Sequence, residues 1–254
     1  MGLGNLNMRL TEHLALVGSG DTGGFSLSHP LDCHVYLIES PGGHVMIDAG
    51  VGLEVDRIIE NIRKDGLNPR DVGHLFVTHV HSDHAGGCAE LKEKLGLKVY
   101  IHRAEAGTMR TANEVELGLD VARADGFYPL DYIFPPCEPF RELEGGETLD
   151  FGNFTLQAIH VPGHSEGSTC YLLNMNGRTI LFSGDVVVHG GKLMFLNCIG
   201  SDMASMRRAM PRLGGLGIEE FYPGHGCFAL GGGQMHVDTA IENLRHLVPP
   251  PNAL

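Results

Sequence analysis

The stretch His79-Val80-His81-Ser82-Asp83-His84 decides how this chain reads. It packs three imidazoles and a carboxylate into six positions, more metal-binding groups than one ion uses comfortably. Alternate residues of an extended backbone point to one side, so His79 and His81 can pinch one cation. Asp83 and His84 open the next element and turn towards a second. Before the motif, His74-Leu75-Phe76-Val77-Thr78 is apolar and β-branched, as a buried strand is. After it, Ala85-Gly86-Gly87 leads through Glu90-Leu91-Lys92-Glu93-Lys94-Leu95 to Gly96, which predicts a helix closed by glycine. The motif therefore occupies a strand-to-helix loop. A polar turn merely rich in histidine does not need this spacing.

Three further strand ends supply similar groups. His164 stands in Val161-Pro162-Gly163-His164-Ser165, after the alternating run Phe154-Thr155-Leu156-Gln157-Ala158-Ile159. Asp185 follows Ile180-Leu181-Phe182-Ser183-Gly184, and His225 lies in Phe221-Tyr222-Pro223-Gly224-His225-Gly226. Glycine beside each lets backbone and ligand approach closely. The total is five histidines and two aspartates, a mixture that suits zinc and other borderline-soft divalent ions.

The order His-x-His-x-Asp-His, Pro-Gly-His, Ser-Gly-Asp, Pro-Gly-His-Gly resembles the metallo-β-lactamase-fold hydrolases. Cys33-His34-Val35-Tyr36-Leu37-Ile38 and Val45-Met46-Ile47-Asp48-Ala49-Gly50 are similar to their N-terminal hairpin, so the likeness runs from about residue 30 to about 230. It implies an α/β fold, a four-layer αββα sandwich of two mixed β-sheets. It also implies two divalent metal ions, zinc in the first place with iron or manganese as alternatives. His79, His81 and His164 then hold the first metal, and Asp83, His84 and His225 the second. Asp185 resembles the metal-bridging carboxylate of hydroxyacylglutathione hydrolases, acyl-homoserine lactonases and phosphodiesterases, which true β-lactamases of this fold lack. Asp48 resembles a structural aspartate that braces loops near the site.

Composition agrees and adds little. A chain of 254 residues can be one α/β domain with an ample core, and 36 glycines with 13 prolines fit many short loops. The formal charge of −13, with no basic stripe, argues against nucleic acid as partner. Six cysteines without paired spacing argue against a disulfide framework and for reduced, mostly buried thiols in the cytoplasm. Neither a signal peptide nor a membrane-spanning run is visible.

Strand signals fall near 33–39, 44–48, 74–78 and 97–102, then near 154–160, 169–174, 178–184, 192–197 and 218–222. Helices are expected at 54–65, 84–95, 201–214 and 234–247, the first marked by Val55, Ile58, Ile59 and Ile62 at helical spacing. Residues 103–146 read as an insertion. After a helix around 113–124 its aromatics Phe127, Tyr128, Tyr132 and Phe134 cluster between prolines without periodicity. Such a stretch forms a lid or pocket wall, packs on the sandwich, or seals a contact between two copies in a homodimer. His13, His29, His44, His74, His102, His236 and His246 lack motif context and read as surface or structural residues. His34 and His160 lie on strands, as satisfied core histidines or as partners of a ligand. His189, four residues after Asp185, is expected near the metal rim and, with Phe127 and Tyr128, against substrate.

The resemblance then implies the chemistry. Metal binding lowers the pKa of water from 15.7 to about 7, so a hydroxide held between the ions attacks a carbonyl carbon. One metal stabilises the oxyanion. Asp83 orients the hydroxide and relays its proton. Ser82 and Ser183 lack a nucleophile-elbow pattern and read as loop hydrogen bonders. Only 29 residues follow His225, too few for the basic helical extension of glutathione thioesterases. The lactonase tyrosine, three residues after the bridging aspartate, is Val188 here. The expectation is a small carbonyl ester, thioester or lactone as substrate, recognised mainly through apolar contact. The alternatives are a mononuclear-iron persulfide dioxygenase, a phosphodiesterase of the same fold, and a metal- or ligand-binding protein with vestigial catalysis.

Overall fold

In the computed structural model residues 8–22, 24–248, 250 and 252 are described. Six strands build the first sheet: β1 (Leu14–Gly18), β2 (Val35–Ile38), β3 (His44–Ile47), β4 (Val72–Phe76), β5 (Lys98–His102) and β6 (Arg141–Leu143), in that order. The first two pairings are antiparallel and the remaining three parallel. The second sheet runs β11 (Glu220–Pro223), β10 (Arg178–Gly184), β9 (Thr169–Met175), β8 (Phe154–His160), β7 (Thr148–Asp150), with only β10 and β11 parallel.

Strand periodicity explains how the sheets stack. In β1, Leu14 and Leu16 face the second sheet while Ala15 and Val17 face the helices, and all four are buried. Between the sheets Tyr36, Phe76 and Tyr100 meet Leu156, Tyr171 and Phe182. On the outer face of the first sheet lie α1 (Val55–Lys64), α3 (Cys88–Leu95) and α4 (Arg103–Thr111), contributing Ile58, Ile62, Leu91 and Met109. On the outer face of the second lie α6 (Met203–Ala209) and α7 (Gln234–Asn243), contributing Met206, Val237 and Ala240. The result is a four-layer αββα sandwich of two mixed sheets. Covering both faces of each sheet is why the strands read as nearly continuous apolar runs. Among the described residues no helix is long and apolar enough to cross a membrane.

Three expectations change. The helix placed at 84–95 is two helices, α2 (Ser82–Ala85) and α3, with Gly96 in the left-handed conformation closing the latter. Gly86 and Gly87 divide them because the chain presses against the 49–52 loop: a Cβ on Gly87 would sit 2.2 Å from the Ala49 carbonyl oxygen. Gly87→Ala should therefore cost about 1–3 kcal/mol of stability in a denaturant titration. A variant as stable as the wild type would show that the loop yields freely. No strand forms at 192–197, where Lys192 and Leu193 make only isolated bridges. Side chains take the backbone groups there: Met194 O accepts from His164 and Phe195 N donates to Asn252 Oδ1. Finally, the 103–146 segment opens on α4, started by the His102 side chain accepting from Ala104 N, and the helix expected at 113–124 shortens to α5 (Leu119–Ala124).

Candidate metal centre

Four strand ends deliver the seven candidate side chains to one edge of the sandwich. His79 and His81 lie in the loop after β4, and α2 carries Asp83 and His84. His164 follows β8, Asp185 follows β10 directly, and His225 follows β11. The structure gathers them into two clusters, His79–His81–His164 and Asp83–His84–Asp185–His225, with the donor atoms of each within 4.8 Å of one another. Asp185 lies between them. Its Oδ2 is 3.7 Å from His164 Nε2 and 3.5 Å from His225 Nε2, and its Oδ1 is 3.4 Å from His84 Nε2. Gly224 allows this approach, since a Cβ there would meet Asp185 Oδ1 at 2.3 Å.

The donors fit divalent cations on three observations. Ring nitrogens face each other closely: His81 Nδ1 and His164 Nε2 at 3.0 Å, His164 Nε2 and His79 Nε2 at 3.1 Å, His84 Nε2 and His225 Nε2 at 3.3 Å. The outer nitrogens already have partners. His84 Nδ1 reaches Asp48 Oδ2 at 2.9 Å, and His164 Nδ1 reaches the Met194 carbonyl at 2.8 Å. His79 Nδ1 lies 3.0 Å from Thr78 Oγ1, and His225 Nδ1 lies 3.2 Å from Thr22 Oγ1. For His84, His164 and His79 these partners are acceptors that place a proton on Nδ1, so Nε2 is the nitrogen turned to the cluster. Third, Asp185 Oδ1 is buried with no hydrogen bond, a costly state that a cation would relieve.

Burial and the crowding of like groups keep His79, His81 and His164 neutral, whereas at His84 and His225 the neighbouring acidic groups, Asp185 and Asp83 among them, outweigh burial and raise both above the ordinary histidine range. Burial, then His84 and His81, push His79 well below the ordinary histidine range; burial and His164 lower His81 to about 3. For Asp83 and Asp185 burial opposes ionisation, but His84 and His225 outweigh it and hold both carboxyls below their usual range.

Several bracing residues were not singled out by the sequence. Thr78 donates its N–H and its hydroxyl to Asp48, joining two loops behind His84. Asp48 itself stands where the resemblance suggested, with a left-handed φ of 63°. Buried Glu105 accepts from Val80 N at 2.8 Å and Gly167 N at 2.9 Å, tying the His79–His81 loop to the His164 loop. His34 and His160 touch no candidate ligand ring; they hold carbonyls of Gly226 and Glu166 in the flanking loops. Neither Ser82 nor Ser183 is a loop hydrogen bonder: Ser183 lies in β10 and donates to Val187 O, and Ser82 opens α2 with its buried Oγ making no hydrogen bond. Cys33, Cys88, Cys137 and Cys170 are buried.

Above the clusters opens a cavity of about 780 Å³ with His81, Asp83, His164, Asp185 and His225 on its floor. One wall comes from the 103–146 segment, through Leu117, Val121, Ala122, Phe127 and Tyr128; the other holds Val188, His189, Met194 and Leu196. Tyr132 and Phe134 are not cavity residues: they are buried in the core on the helix side of the first sheet. Cys198, which the sequence gave no reason to choose, lines the cavity with its Sγ 3.9 Å from His81 Nε2.

The sequence model described as the metallo-beta-lactamase superfamily matches residues 29–225. The chain belongs to this superfamily. Among its superfamily relatives, the acyl-coenzyme A thioesterase MBLAC2 of Gallus gallus is 31% identical over 208 residues, spanning 76% of this chain and 72% of its own. A probable metallo-hydrolase of Bacillus subtilis, YqgX, is 29% identical over 162 residues, 64% of this chain and 69% of its own. Among solved structures, a mutated metallo-beta-lactamase of Cronobacter sakazakii superposes with a TM-score of 0.69 at 26% identity, covering 87% of this chain and 80% of that one. The subclass B3 enzyme BJP-1 of Bradyrhizobium japonicum gives 0.71 at 20% identity over 93% and 89%, a likeness of fold alone.

Proposed function

We propose that this chain is a dinuclear metal-dependent hydrolase of acyl thioesters. The observation that carries the reading is the pair of donor clusters sharing Asp185 at the floor of a cavity with apolar walls. The names of the thioesterase relatives support the choice of bond.

His79, His81 and His164 would hold one ion and Asp83, His84 and His225 the other, with Asp185 within reach of both clusters. When bound, the ions supply Lewis acidity and a deprotonated water at neutral pH. The protein does the rest. Asp48, Thr78 and Met194 fix the ring planes, so the donors need not reorganise on binding. Asp83 faces the cavity with an ionised carboxylate, held in that state by His84 and His225 against burial, and so offers a fixed negative charge beside the cluster. A thiolate leaving group has a free pKa near 8.5, so its departure needs little help from an acid. That favours thioesters over amides at this site.

The test is a panel of acyl-coenzyme A thioesters, acyl-homoserine lactones, β-lactams and a low-molecular-weight persulfide, with elemental analysis of protein purified without chelator. We expect two ions per chain and the highest kcat/KM on thioesters. One tightly held ion, iron, with persulfide oxidation would replace this reading by the oxygenase one. Substrate recognition is expected to rest on the apolar walls. Each added methylene should raise kcat/KM by a factor worth ~1–3 kcal/mol at most, up to the cavity's limit. Phe127→Ala should flatten that dependence with metal content unchanged. Indifference to acyl length in the wild type would remove the apolar wall from the argument.

A further inference from the structure

Tyr128 follows α5 in the 103–146 segment, yet its side chain is buried and reaches the metal cluster. Its Oη donates to Asp83 Oδ1 at 3.0 Å. The other oxygen of the same carboxylate, Oδ2, faces the cluster, 3.0 Å from His225 Nε2 and 3.5 Å from His84 Nε2. The two oxygens of Asp83 are thus divided between Tyr128 on one side and the two imidazoles on the other. The ring of Tyr128 is itself held: Tyr132 stacks on it at 5.2 Å, Phe127 meets it edge-on at 5.0 Å, and Tyr132 Oη donates to the Val51 carbonyl at 2.9 Å.

We infer that Tyr128 is a positioning residue that presents Asp83 to the metal centre through one oxygen, a role separate from lining the substrate cavity. The inference rests on the reading of Asp83 as a metal ligand. A carboxylate with one oxygen pinned by a buried phenol cannot rotate to offer both oxygens to the same ion. It also keeps a fixed direction towards the cavity. Sequence distance hides this link, because 45 residues separate the partners. The consequence is that the 103–146 segment contributes to the metal centre as well as to the substrate wall.

Tyr128→Phe tests this, since it removes the donor and keeps the ring stack. Metal-free protein is titrated with Co²⁺ and followed by its absorption spectrum, and kinetics on a medium-chain acyl-coenzyme A follow on the zinc-loaded protein. The expected result is a second equivalent bound roughly tenfold or more weakly with an altered spectrum, and a kcat roughly 10–100-fold lower at a KM within about twofold, as for loss of a hydrogen-bond partner behind a metal ligand. The melting temperature of the metal-free variant should match that of the wild type. Tyr132→Phe is the packing control, and it should leave both Co²⁺ equivalents unchanged. Wild-type Co²⁺ affinity and spectrum in Tyr128→Phe overturn the inference, whether or not KM rises. So does the same Co²⁺ defect in Tyr132→Phe. If the wild type cleaves no thioester, the functional reading fails and the Co²⁺ titration alone decides Tyr128.

Discussion

Asp185→Asn should lower kcat by on the order of 10²–10³-fold, the loss typical when one preorganised electrostatic element leaves an active site. The change is nearly isosteric, so the β10 turn should survive, but the side chain no longer carries the charge that faces both clusters. Asp185 Oδ2 stands within 3.7 Å of His164 and 3.5 Å of His225, one from each cluster. A neutral amide would not offset the two cations of the proposed centre, and one of its ends would be a donor aimed at them. Metal content should fall from two ions towards one, while the denaturation midpoint of metal-free protein stays close to that of the wild type. Full turnover with two tightly bound ions in the variant would reduce Asp185 to a loop residue.

The seven side chains that cluster were legible because each sits at a strand end beside a turn residue that breaks the apolar pattern. His79, His81, Asp83 and His84 are crowded into one loop. His164, Asp185 and His225 each interrupt an apolar or alternating run next to glycine. The sandwich was legible for the same reason, since strands covered on both faces give long apolar runs. What was not legible depends on contacts between distant segments. Glu105 lies on a helix surface by its local sequence, and only the fold carries it under Val80 and Gly167. Tyr132 and Phe134 share composition with Phe127 and Tyr128, yet turn into the core, where Tyr132 bonds to Val51 O. Strands β1, β6 and β7 fall outside the expected set, and the strand expected at 192–197 does not form. Pairing decides both, because Leu14–Gly18 finds the edge of β2 whereas Met194 and Phe195 give their backbone groups to side chains.

Glu105→Ala should be the most destabilising single change near the site. The carboxylate is buried and bonds one backbone N–H from each half of the sandwich, at Val80 and at Gly167. Alanine leaves both donors without a partner, at ~1–3 kcal/mol each, and opens a space besides. Against a total stability of about 5–15 kcal/mol that is a large fraction. Because Val80 sits between His79 and His81, and Gly167 lies just past His164, the first metal cluster should also loosen and bind its ion more weakly. Glu105→Gln separates charge from shape. Burial raises the Glu105 carboxyl above its ordinary value despite the hydrogen bonds from Ser165, Gly167 and Val80. A raised folded-state value means that its titration contributes stability below the ordinary Glu value, ~4.3, and that this contribution is lost as pH rises through the folded value. The stability advantage of the wild type over Glu105→Gln should therefore shrink from pH 4 to pH 8 in urea titrations of metal-free protein. An advantage that grows with pH would mean that the ionised carboxylate is favoured by its two backbone donors more than burial opposes it. Wild-type stability in Glu105→Ala would mean that the two loops hold the histidines without this clamp.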